Sequence, residues 1–218
     1  MEAPVINIGI VDDHNLFRKA LSQIIRTFRH FKVILEAENG QDFLSQIENA
    51  SQQPDICLMD INMPKMNGYE TLEHMKRNGQ DIKVLAVSMY KNDYSIVRML
   101  RHGANGYLSK NCSPEELRRA ILSIYYTGYY NSDETIPLPG QATDGKQVSV
   151  MATITEKEAA FLNYCSTEMN YAQIAEKMGL SIHTVEGYRD VLFKKLNVKT
   201  RIGLVAEAFR KGIISRTD

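Results

Sequence analysis

Ile56-Cys57-Leu58-Met59-Asp60-Ile61-Asn62-Met63-Pro64-Lys65-Met66-Asn67-Gly68 is the stretch that decides how the rest of the chain is read. An apolar run of strand length stops on Asp60, and Asn62, Pro64, Asn67 and Gly68 behind it are turn formers. That is the pattern of a buried strand delivering an acid to its carboxyl end. In an open parallel sheet, ligands gather along that edge. A carboxylate held there can ligate a metal, act as a nucleophile, or do both. Taken alone, Asp60 could equally well cap a turn.

On the amino side of this stretch, Ile6 to Val11 is a β-branched run that stops at Asp12-Asp13, and Val33 to Ala37 is a second short strand. On the carboxyl side, Lys83 to Ser88 and Gly106 to Lys110 are a fourth and a fifth. Helical periodicity follows each strand. Leu16, Ala20, Leu21, Ile24 and Ile25 share one face from Asn15 onward; Phe43, Leu44 and Ile47 follow Gly40; Leu72 and Met75 lie within Tyr69 to Arg77. Ile96, Val97 and Leu100 fall between Tyr94 and Arg101, and Pro114 opens a helix with Leu117, Ala120, Ile121 and Ile124 inward. Strands that are apolar throughout and alternate with helices predict an α/β fold: a five-stranded doubly wound parallel sheet covered on both faces. Right-handed crossovers put all five strand ends on one rim, which gathers Asp12, Asp13, Asp60, Ser88 and Lys110.

Composition narrows the function classes. The 218 residues carry 26 Lys/Arg and 26 Asp/Glu, a net charge of zero that speaks against a protein coating nucleic acid along its whole surface. Cys57, Cys112 and Cys165 lack metal-ligand spacing and read as reduced thiols. No apolar run reaches the roughly 18 to 20 residues of a membrane span, and Met1-Glu2-Ala3-Pro4 does not resemble a secretory signal, so a cytoplasmic location without membrane partners is expected.

Between 131 and 150 the periodicity lapses into a segment with Pro137, Pro139, Gly140 and Gly145, read as a linker between residues 1–130 and 151–218. Beyond it, Thr155 and Glu158 form a capping box ahead of Ala159, Phe161 and Leu162. A short helix, Tyr171 to Met178, ends at Gly179, and Ser181 caps a third helix running to about Leu196. A fourth spans Arg201 to Lys211, completing a small all-α unit of four helices. The pair around Gly179 has the spacing of a helix-turn-helix, although a small helical bundle that binds protein fits the same spacing.

Three carboxylates on one rim repel each other, and a divalent cation removes the conflict. Magnesium is suited to Asp12, Asp13, Asp60 and a carbonyl such as that of Asn62. Asp60 could then attack a phosphoryl group, with charge shared by the metal and Lys110 and a hydrogen bond donated by Ser88. Lys110 could also do no more than form a salt bridge with the acids.

Val11-Asp12-Asp13-His14, Met59-Asp60 with Met63-Pro64-Lys65-Met66-Asn67-Gly68, Ala86-Val87-Ser88 and Tyr107-Leu108-Ser109-Lys110 together resemble the receiver domain of two-component response regulators, a flavodoxin-like fold. The resemblance implies that Asp60 is the phosphoacceptor, charged by a histidine kinase. Asp12 and Asp13 would be the magnesium pair, Ser88 and Lys110 the partners of the phosphoryl oxygens, and Tyr107 the aromatic that follows the movement of Ser88. One departure is Asn111, where many receivers carry Pro after the lysine. A cis bond before Asn costs about 3 kcal/mol, which sets the Lys110–Asn111 peptide apart from that family pattern.

Ile154-Thr155-Glu156-Lys157-Glu158, Gln173-Ile174-Ala175, Ser181, Thr184-Val185 and Lys194-Lys195-Leu196-Asn197-Val198 are similar to the LuxR-type helix-turn-helix of the NarL/FixJ subfamily. The resemblance implies promoter DNA as partner, with Thr184, Lys194, Lys195, Lys199, Thr200 and Arg201 as phosphate contacts. Glu186, Gly187 and Asp190, with His183 and Arg189 near, would read base edges. Relatives often carry Lys or another neutral or basic residue at the positions of Glu186 and Asp190. An acid can accept from cytosine N4 but repels phosphate, which predicts weak binding by a monomer and a homodimer formed on phosphorylation through Val205, Ala208 and Phe209. The expected protein is a phosphorylation-dependent transcriptional regulator with no activity of its own beyond slow autodephosphorylation. Two other readings compete: an aspartyl magnesium phosphatase, disfavoured by Asn62 where the haloacid-dehalogenase type has Asp, and an adaptor whose helical module has lost DNA.

Overall fold

In the computed structural model the described residues are 4–89, 93–131 and 154–215, with Asp93 and Tyr94 described by their backbone alone. Strands β1 (Ile6–Val11), β2 (Phe31–Ala37), β3 (Ile56–Asp60), β4 (Lys83–Ser88) and β5 (Gly106–Ser109) form one parallel sheet in the order β2-β1-β3-β4-β5. Strand order reverses between β1 and β3, so the loops leaving them diverge and open a crevice at their carboxyl ends. Register fixes what lines it. Val11 pairs with Met59, which makes Asp12 and Asp60 neighbours across two strands. Asp60 pairs with Val87, and Ser88 with Ser109, so Ser88 and Lys110 follow on the same rim.

Alternation along the strands divides the core. Ile6, Ile8, Ile10, Ile56, Leu58, Leu85, Val87 and Leu108 are buried with Leu21 and Ile25 of α1 (Asn15–Arg26) and Leu117, Ala120, Ile121 and Ile124 of α5 (Pro114–Thr127). Each of these Val, Leu and Ile side chains taken from water contributes roughly 1.5 to 3 kcal/mol. On the other face, α2 (Gly40–Asn49) brings Phe43 against Gly9, where a Cβ would meet the ring at 3.5 Å. Helix α3 (Gly68–Arg77) starts at a full capping box between Asn67 and Glu70, which ends the turn-forming run after Asp60. Pro114 occupies the first turn of α5, capped by Ser113, and Gly128 closes it in the left-handed region at φ 78°.

Helix α1 departs from the expected phase. Leu16 is 86% exposed and Ala20 is exposed, while Arg18 and Ser22 are buried beside Leu21 and Ile25. The guanidinium of Arg18 donates to the Asp12 carbonyl, and Ser22 donates to Glu36, so polar anchors share the inward face with Leu21, Ile24 and Ile25 while Leu16 stays outside.

The chain falls into two compact units, 1–91 with 102–130 and 92–101 with 131–218. Helix α4 (Asp93–His102) thus falls in the second up to Arg101, and its Val97 is buried in the same apolar cluster as Phe161, Leu204 and Ala208. That unit also contains α6 (Glu156–Cys165), α7 (Tyr171–Met178), α8 (Ile182–Leu196) and α9 (Arg201–Arg210). Thr155 and Glu158 complete the expected capping box. Gly179 turns the chain between α7 and α8 at φ 65°, a conformation that Gly adopts at little cost, and Ser181 caps α8 by accepting from the Thr184 amide. Of the segment read as a linker, 131–150, all but Asn131 lies outside the described residues.

Candidate functional site

Burial and charge meet at the carboxyl rim of the sheet. Lys110, one residue past β5, puts its Nζ 2.6 Å from Asp12 Oδ2 and 2.7 Å from Asp60 Oδ2, and all three side chains are nearly sealed from water. The Phe17 ring of α1 lies over the ammonium, 4.8 Å from Nζ to the ring centre. The Lys110 amide donates to the Ser88 carbonyl at 2.9 Å, which ties the β5 end to the β4 end. Asp60 Oδ1 accepts from the Ile61 amide at 2.7 Å, and Asp12 Oδ1 from the His14 amide at 2.9 Å. The peptide between Lys110 and Asn111 is trans.

Burial raises the pKa of Asp60 above the usual carboxylate value; Lys110 opposes this, and the charge of Asp12 adds to it. Burial alone would lower that of Lys110, but the two carboxylates outweigh it and hold the ammonium charged. Asp13 extends the acidic cluster. Its Oδ1 is buried and makes no hydrogen bond, although His14 Nδ1 lies at ion-pair distance, 2.9 Å. Ligand atoms of Asp12, Asp13, His14 and Asp60 all fall within 4.8 Å of one another. A crowded acid set with an orphaned carboxylate oxygen fits a hard divalent cation.

All five rim residues expected from the sequence come together. Ser88 is buried at the end of β4, Tyr107 is half-buried on β5 opposite Ala86, and Asn62 is exposed two residues past Asp60. His14, Phe17 and Arg18 join the site without having been singled out. The signal for His14 was its place directly after Asp13; Phe17 and Arg18 gave none.

In the helical unit, Val185, Leu192 and Leu196 bury one side of α8. The other side presents His183, Thr184, Gly187, Asp190 and Lys194, all exposed, with Glu186 and Arg189 partly so. Two contacts engage much of that face: His183 Nδ1 lies 3.4 Å from Glu186 Oε2, and Arg189 forms an ion pair with Asp190 at 2.9 Å. Arg189 also lies over the Tyr171 ring. Lys199 and Thr200 are exposed at the start of α9, where Thr200 caps the helix.

Two expected phosphate contacts are turned to other work. Lys195 bonds both oxygens of buried Glu158, at 2.8 and 2.9 Å. Arg201 is buried and donates to the carbonyls of Cys165 and Thr167, each at 3.0 Å. Both cations join helices of the unit together. The apolar residues expected to form a dimer surface are likewise inside: Val205 and Ala208 are fully buried and Phe209 half-buried, all packed in this unit's core.

A family model for the response regulator receiver domain matches residues 8–122, and one for the luxR family of bacterial regulatory proteins matches 152–208. The chain is 29% identical over 211 residues to the response regulator UvrY of Escherichia coli (strain K12), covering 96% of each. It is 31% identical over 219 residues to the transcriptional regulatory protein MctR of Rhizobium johnstonii, covering 99% of this chain and 98% of that one. Among solved structures, a LuxR-family DNA-binding response regulator from Staphylococcus aureus is 28% identical, with a TM-score of 0.52 over 56% of this chain and 99% of that one. The chain thus belongs to the response-regulator family of two-component signalling, with a receiver domain and a LuxR-type DNA-binding domain.

Proposed function

We propose that this regulator is switched by phosphorylation of Asp60, and that the mark controls promoter binding by α8. The reading rests above all on one observation: Asp60 is a buried carboxylate whose Oδ2 is held by Lys110 beside a second carboxylate, Asp12. An oxygen of Asp60 attacks phosphorus of a kinase phosphohistidine or of a small acyl phosphate; the P–O bond to Asp60 forms as the bond to the donor breaks, and the donor leaves with that electron pair. Asp12 and Asp13, with Asp60 and the Asn62 carbonyl, would hold magnesium, which supplies positive charge to the transferring oxygens. Lys110 exchanges its bond to Asp60 for one to a phosphoryl oxygen while keeping Asp12, and Ser88 donates to another. Tyr107 follows Ser88. Slow hydrolysis of the acyl phosphate resets the site.

Receiver, linker and DNA-binding domain are assigned to 1–130, 131–150 and 151–218. Double-stranded DNA is approached through Thr184, Lys194, Lys199 and Thr200 at phosphates and through His183, Glu186, Gly187, Arg189 and Asp190 at base edges. Lys195 and Arg201 act as struts within the domain. The regulator works in the cytoplasm as a homodimer once phosphorylated. Magnesium with acetyl phosphate should add one phosphoryl group to the native chain and none to Asp60→Asn, as read by intact mass. An unchanged native mass removes the switch.

A further inference from the structure

Among the described residues, neither backbone conformation nor close packing requires glycine at position 187. It sits inside α8 with at least a full turn of helix on either side, where glycine is disfavoured relative to alanine. Its backbone is not among the positive-φ glycines, which are Gly79, Gly103, Gly128, Gly179 and Gly212. Nor does anything crowd it. A Cβ on Gly40 would fall 1.8 Å from Thr71 Oγ1, whereas a Cβ on Gly187, its chain neighbours and own helix backbone apart, would meet nothing within 4 Å among the described residues.

The neighbours at helical spacing define what the missing side chain leaves behind. His183 and Thr184 lie one turn before Gly187, Asp190 and Val191 one turn after, and all four are exposed. Gly187 is therefore the floor of a dent in the outer face of α8, with an apolar wall at Val191, which is 43% exposed. Asp190 is drawn aside by Arg189, and Glu186 is within reach of His183. The dent is small, partly apolar and centred on the face that the proposed function turns toward DNA. In the major groove the one apolar group that protrudes from a base edge is the 5-methyl of thymine.

We propose that Gly187 is a specificity-determining residue, and that the dent it leaves receives the methyl group of a thymine in the major groove. This rests on the DNA-binding reading given above. Its role is clearance: a side chain there would hold the helix off the base pair.

The test is a two-by-two comparison on the full chain. Native protein and Gly187→Ala are titrated with the tightest duplex that native protein recovers from a random-sequence pool, and with the same duplex carrying uracil in place of each thymine in turn. With the methyl present, Gly187→Ala should bind about tenfold more weakly, the scale of one mismatched pair. At one position, uracil should weaken the native protein and restore much of the variant's loss. Alanine should also raise the melting temperature, since it improves helix propensity without a clash. Equal binding of the two proteins to the thymine duplex overturns the proposal while leaving DNA recognition standing. So does an equal loss on every duplex, uracil and random sequence included. Failure of native protein to select any duplex would remove DNA recognition, and this inference with it.

Discussion

Lys110 and Asp60 are locked together before any phosphoryl group arrives: Nζ lies 2.7 Å from Oδ2, and the two side chains are 3% and 6% exposed. The same ammonium reaches Asp12 at 2.6 Å. One cation is therefore shared between two buried acids, and the resting site is held closed by the group that the phosphorylated site must recruit.

Removing that cation has a predictable cost. Lys110→Met leaves two carboxylates facing each other in low dielectric, and should destabilise the chain by about 3 kcal/mol without divalent metal. Magnesium should then raise the melting temperature of the variant more than that of the native protein, because metal replaces the lost charge. An equal increment in both would mean that Lys110 and the metal do not share these acids.

Cations in the helical unit should divide into two classes. Arg201→Met removes donors from two backbone carbonyls and should cost roughly 2 kcal/mol in thermal or urea unfolding. Lys194→Ala, at an exposed position, should leave stability alone and lower the salt dependence of DNA binding by about one phosphate contact. A stable Arg201→Met with a reduced salt slope would return that residue to the DNA surface.

Glu158 links stability to pH. Burial by itself would raise its pKa, but Lys195 and the bonds from Thr155 hold it below 4.5. An acid depressed in the folded state stabilises fully above its unfolded value, and that contribution is lost as pH falls through the folded value. Native protein should lose thermal stability below about pH 4.5, and Glu158→Gln should be less stable at neutral pH with a flatter acid limb. Melting curves at graded pH that run parallel would rule out this linkage.

Thiol chemistry reports on the core. Cys57 and Cys165 are buried, and burial pushes the thiol of Cys165 up to about 12 and that of half-buried Cys112 up to about 11. Ellman's reagent at neutral pH should count three thiols in denaturant, and in the native state one at most, reacting slowly. Rapid reaction of all three would contradict the packing of β3 and α6.

The order of elements was legible because parallel strands covered on both sides read as continuous apolar runs, and all but β2 lead into a polar residue that burial does not tolerate without a partner. Asp12, Asp60, Ser88 and Lys110 were found that way. The phase of α1 was not legible. Hydrophobicity alone favoured Leu16, and only the Asp12 carbonyl, an acceptor created by the strand end, explains why Arg18 turns inward. Lys195 and Arg201 were misread for a related reason: a sequence shows that a cation exists but not which acceptor it meets.

Sequence by itself determined the parallel sheet, the acid at its rim and the helix-turn-helix, since periodicity, caps and turn formers are local properties of the chain. Tertiary structure decided which cations brace the helical unit from inside, which helix face is buried and which carboxylate oxygen makes no hydrogen bond. Those outcomes depend on distances between residues far apart in the chain, and electrostatic and hydrogen-bond energies fall off too steeply with distance to be read from order alone.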